Sequence, residues 1–206
     1  MGFDEGFLVE DRLHEREKRI YEQYETVIAY FIAELEVRDT EYPIEVFNEI
    51  RSIFTHLSRY KLNNNVDDLV SAERHVKRAI LDCFKYMCVS FAEEIKEFRH
   101  AYRKVDLKIA ENGHFLPELD KLEDDAKQAY IDAKKSEIRG KLSEEEVYAM
   151  YEDAYNKYHE LSHYLVESRD AILFASSHSK KSNAVNWVSI VVTVISIVLA
   201  IVGFTT

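Results

Sequence analysis

The run from Ala184 to Phe204, AVNWVSIVVTVISIVLAIVGF, carries no charge and has only Asn186, Ser189, Thr193 and Ser196 as polar interruptions. Wound as a helix rising about 1.5 Å per residue, it matches the ~30 Å hydrocarbon core of a bilayer. Trp187 stands near one end, where indoles favour the headgroup region. Lys180 and Lys181 lie just before it, so the positive-inside rule expects the rest of the chain on the cytoplasmic side. Working outward, the chain divides into a cytosolic helical sensor and oligomerisation domain (1–178), a membrane-surface linker (179–183) and a single transmembrane helix (184–204).

The polar residues of that run recur at helical spacing. Asn186, Ser189, Thr193 and Ser196 fall within roughly a third of a helix circumference, leaving the other side to Val, Ile and Leu. Small and hydroxylated residues in a line suit a helix-packing seam. Repeated around a symmetry axis, the same line is a pore lining of hydroxyls and amides.

The remaining residues are expected to form an all-α bundle. Five Gly, two Pro and no long alternation of β-branched residues leave little for a sheet. A first helix is expected from about Val9 to Val37, apolar over so wide an arc near its end that it should be buried on more than one side. Pro43 opens a second, whose core face is Val46, Phe47, Ile50, Phe54 and Leu57, and which Asn63, Asn64 and Asn65 end. A third begins near Asp67 and meets no Gly or Pro until Gly113, a rod of about 65 Å. A fourth runs from Glu118 to Arg139 and closes at Gly140. Ser143 and Glu146 form a capping box for a fifth. Its heptad passes through Tyr151, Ala154, Tyr158, Leu161, Leu165, Ser168, Ile172 and Ala175 and continues in phase into the polar line of the membrane run, as a symmetric homo-oligomer such as a tetramer requires.

The net charge of −11 argues against coating of DNA or an anionic bilayer by the whole surface. Cys83 and Cys88 read as core thiols at different azimuths of one helix. The opening GFDEGFLVEDR is too acidic and too short in apolar run for a secretory signal, and MGFDEG lacks the Ser or Thr of a myristoylation site. No Gly-rich phosphate loop, nucleophile elbow or cysteine cluster is present, so no cofactor and no enzyme activity are expected.

Two constellations carry chemistry. Arg74, Lys77, Arg78, Lys85, Lys96, Arg99 and Arg103 line one side of the third helix, a basic ribbon in an acidic chain. It is either a set of salt bridges to neighbouring helices or an anion site for a nucleotide or single-stranded oligonucleotide, with Tyr86 or Tyr102 for stacking. The second constellation is His159-Glu160-Leu161-Ser162-His163. It matches the H-E-x-x-H of zincins, in which two His ligate zinc and the Glu activates a bound water. With Lys157 beside it and a third ligand available only from the same helix, His159 and His163 are expected to be metal-free.

The helical sensor, the basic ribbon and one C-terminal span with a polar stripe together resemble the transmembrane effectors of Hailong-type bacterial antiphage systems. The likeness is architectural and rests on no diagnostic motif. It implies an oligomeric, ligand-gated ion channel in the bacterial inner membrane, held by single-stranded DNA oligomers from a partner nucleotidyltransferase. Two other readings stand beside it: a tail-anchored tether or fusion protein of syntaxin-like architecture, and an HExxH membrane metalloprotease.

Overall fold

A computed structural model describes residues 5–39 and 43–178. Among them every regular element is helical: α1 (Glu5–Gln23), α2 (Ala29–Asp39), α3 (Ile44–Asn63), α4 (Val66–Tyr102), α5 (Phe115–Arg139), α6 (Glu144–Glu167) and α7 (Arg169–His178). The chain forms two compact units, Met1–Tyr86 and Met87–Thr206, with the boundary inside α4.

In the first unit the expected single N-terminal helix is interrupted by a π-helical turn, Tyr24–Ile28. Three consecutive β-branched residues, Thr26, Val27 and Ile28, crowd the preceding turn, and the Thr26 hydroxyl donates to the Glu22 carbonyl at 2.7 Å. Burial is confined to one side. Ile20, Ile28, Phe31 and Leu35 are buried while Tyr21, Tyr30 and Val37 are exposed, so the apolar arc is wider than the face that packs. Helix α3 begins after Pro43 and ends on Asn64, whose left-handed φ of 53° lets its amide reach the Tyr60 carbonyl at 2.8 Å. Its core line is Val46, Ile53 and Leu57. Phe47 and Phe54, expected in the core, are exposed.

Helix α4 has acids in its first turn and Arg99 and His100 in its last, in the sense that the helix dipole favours. It stops at Tyr102, making a rod of about 55 Å and not 65 Å. Asp106 caps the 3-10 segment that follows, Leu107–Gly113, by accepting from the Lys108 amide at 3.2 Å. Glu111 and Asn112 there have left-handed φ of 50° and 55°. The rod itself ends without proline or glycine, in a turn where the Val105 amide donates to the Tyr102 carbonyl at 2.9 Å.

In the second unit α5 and α6 pack along their lengths, joined by a short turn in which Gly140 is left-handed (φ 60°). The capping box forms as expected, with the Glu146 amide donating to Ser143 Oγ at 3.2 Å and the Ser143 amide to Glu146 Oε2 at 2.8 Å. The heptad residues Tyr151, Ala154, Tyr158, Leu161, Leu165, Ser168, Ile172 and Ala175 are all buried, and the helix changes direction at Ser168, between α6 and α7. This line is therefore occupied within the chain. The coiled-coil reading, in which it was the seam between subunits, is corrected accordingly.

The membrane reading is corrected too. Among the described residues no helix is long and apolar enough to cross a membrane. Even α4, the longest, carries a charged side chain on almost every turn, which hydrocarbon does not tolerate. Linker 179–183, the run 184–204 and its proposed pore line, Asn186, Ser189, Thr193 and Ser196, lie outside the described residues. The ligand-gated channel of the bacterial inner membrane, its antiviral effector role, the syntaxin-like tether and the membrane metalloprotease each required a spanning helix, and none is retained.

Candidate cationic edge of α4

The seven cations of the ribbon fall in both units. Arg74, Lys77, Arg78 and Lys85 belong to the first unit, and Lys96, Arg99 and Arg103 to the second. Arg99 is committed: its Nε donates to Glu123 at 2.6 Å and its Nη2 to Asp120 at 2.5 Å, bridging α4 to α5. Burial works to raise the Glu123 carboxyl, but hydrogen bonds from Lys127 and Arg99 outweigh it and hold the group below the usual carboxylate range. Arg103 folds back onto His100 of its own turn, 2.7 Å from the ring Nε2 and 3.1 Å from the carbonyl. Lys85 pairs with Asp82 at 3.7 Å. The expected stacking residues are engaged as well, Tyr86 donating to Glu45 and Tyr102 being buried.

Arg74, Arg78 and Lys96 remain exposed, with no ion pair among the described residues. Arg74 and Arg78 are one turn apart at the start of α4 and project from one side of it. Lys77 is exposed between them.

The HExxH residues all lie on α6. His159, Glu160 and His163 are exposed. The His159 ring stands edge-on to Phe91, centroids 6.2 Å apart, and His163 Nδ1 lies 3.5 Å from Glu167. Among the described residues no group of three or more His, Cys, Asp and Glu side chains is placed to hold a metal ion. Both cysteines are buried, and burial pushes each thiol up to about 12, far from the reactive thiolate range.

One constellation escaped the sequence reading. On α3 and α4 the rings of His56 and His75 stack, centroids 5.2 Å apart, with His56 Nδ1 2.8 Å from Asp68 and His75 Nδ1 2.6 Å from Glu49. The signal that could have found it is an acid and a histidine seven residues apart on each of two neighbouring helices, Glu49/His56 and Asp68/His75. The stacked planes point the ring lone pairs along parallel directions, so the two imidazoles do not converge on one metal.

The second unit also carries an open groove of about 480 Å³ between α5 and α6. Ala129, Ala149 and Met150 form its apolar part, and Asp125, Asp132, Asp153 and Lys157 its charged edge. Asp153 pairs with Lys157 and Asp132 accepts from Gln128 at 2.9 Å, whereas Asp125 is exposed with no ion pair among the described residues.

No protein-family model matches this sequence, and no curated protein or solved structure shows significant similarity to it.

Proposed function

We propose that this chain acts by binding and not by catalysis, and that the exposed edge of α4 at Arg74 and Arg78 receives an anionic partner. The observation that supports this is that the two guanidinium groups, one turn apart, have no ion pair among the described residues in a chain with 38 acids against 27 Lys and Arg. Arg16 is held by Glu73 and Arg99 by Glu123, whereas Arg74 and Arg78, like Arg19, Arg51, Arg59 and Arg139, have no ion pair among the described residues; what sets them apart is that they stand one turn apart on one side of α4. Two guanidinium forks left open one turn apart match the planar, bidentate chemistry of carboxylate or phosphate. In a strongly acidic protein such a local cationic edge also steers and orients an approaching acidic surface.

The test is fluorescence anisotropy with two labelled probes, polyglutamate for carboxylates and inorganic polyphosphate for phosphates. Wild-type chain should bind at least one of them, more weakly as salt rises, and Arg74→Glu with Arg78→Glu should weaken that binding about tenfold or more. Equal binding by wild type and the double variant, or no binding of either probe, overturns the proposal.

A further inference from the structure

We infer that the anionic partner of Arg74 and Arg78 is the aspartate-edged groove between α5 and α6 of a second copy of this chain. The inference rests on the reading of the α4 edge given above and names its occupant. Two surfaces of the same chain are complementary. The groove presents Asp125, Asp132 and Asp153, with Gln128 and one cation, Lys157, around a floor of Ala129, Ala149 and Met150. The α4 edge presents Arg74 and Arg78, with Val70 and Leu81 half-buried on the same side one turn before and after. The groove sets charge around small apolar area, and the α4 edge sets its two guanidinium groups between two apolar side chains, so both surfaces combine charge with apolar area.

The charges also discriminate among alternative contacts. Lys157 already occupies Asp153, and Asp132 accepts from Gln128, so Asp125 is the carboxylate with most capacity to spare. Facing it, Arg74 and Arg78 are the guanidinium groups of α4 that remain open. Because the surfaces are different patches, the contact is heterologous, each copy using its α4 edge on one neighbour and its groove on another. Copies then close into rings or extend into chains according to the rotation between them. A chain whose net charge is −11 repels its own kind at long range, so such assembly is salt-sensitive and depends on the local match.

The full-length protein tests this by charge exchange. In sedimentation at low salt, wild type should show mass rising with concentration. Variant A (Arg74→Glu, Arg78→Glu) and variant B (Asp125→Lys, Asp132→Lys) should each remain at the single-chain mass, since each meets like charge in its own copies. An equimolar mixture of A and B should associate again, because the Glu edge of A faces the Lys groove of B while the Arg edge of B faces the intact groove of A. Thermal melts of A and B matching wild type establish that both fold. Association of either variant alone as strong as wild type overturns the inference, and so does failure of the mixture to associate. If wild type stays monomeric while binding polyglutamate or polyphosphate through Arg74 and Arg78, the second-copy assignment falls and the binding function stands. If neither probe binds and A associates like wild type, both fall.

Discussion

His56 and His75 exchange acids: each histidine holds, through Nδ1, the carboxylate that lies seven residues from the other, Asp68 for His56 and Glu49 for His75. The helices α3 and α4 are thereby locked in one antiparallel register, with both Nδ1 atoms hydrogen-bonded and the rings stacked at 20° between planes. All four side chains are about four-fifths buried, between 14% and 22% exposed, so solvent screens these bonds only in part.

A double-mutant cycle on His75 and Glu49 measures that lock. His75→Ala and Glu49→Ala should each destabilise the protein by about 1–2 kcal/mol in urea unfolding, and the double variant should cost less than the two together by about 1 kcal/mol. Strict additivity would mean that the 2.6 Å contact adds nothing beyond the packing of each residue.

Asp82, on the same side of α4, sets a pH dependence. Burial raises its carboxyl, Lys85 opposes that, and repulsion from Glu49 and Glu45 adds to the rise above the ordinary 3.8. Between 3.8 and the raised folded value the folded state therefore holds more proton than the unfolded state. Stability from this group is fully present below the lower value and declines as pH rises through the folded one. Asp82→Asn should remove this part of the slope and raise the melting temperature at neutral pH. A lower neutral-pH melting temperature would show that the Lys85 pairing outweighs burial and repulsion.

Glu111 combines backbone strain with a latch. Its φ is 50°, and its carboxylate accepts from Ser168 Oγ at 2.6 Å and from Tyr164 Oη at 3.0 Å, at the junction of α6 and α7. Burial and this carboxylate together push the Tyr164 phenol up to about 12. Glu111→Ala should cost roughly 2 kcal/mol, from two lost charge-assisted bonds and a retained left-handed backbone. Glu111→Gly loses the same bonds but relieves the left-handed conformation, so it should cost about 1 kcal/mol less. Equal losses in thermal or urea unfolding would show that the backbone at 111 relaxes when the latch is removed.

What the sequence by itself determined is the local order of this protein. The helical class, the stop at Asn64, the left-handed Gly140, the Ser143–Glu146 capping box and the buried line from Tyr151 to Ala175 all follow from contacts within about four residues, or from a 3.6-residue period. What only the tertiary structure decided involves residues far apart in the chain. Glu49 meets His75 across 26 residues and Glu111 meets Ser168 across 57; the seven-residue spacing of acid and histidine hints at the first only once α3 and α4 are known to be neighbours, and no periodicity announces the second. The ribbon on α4 shows the same limit. Its azimuth was legible, but whether a cation is spent or open depends on what a neighbouring helix presents, which spared Arg74 and Arg78 and tied Arg99 to Asp120 and Glu123. Phe47 and Phe54 were assigned to a core because apolar side chains at helical spacing usually pack. Which side of a wide apolar face is covered is set by the position of the next helix, a long-range property that a one-dimensional pattern does not contain.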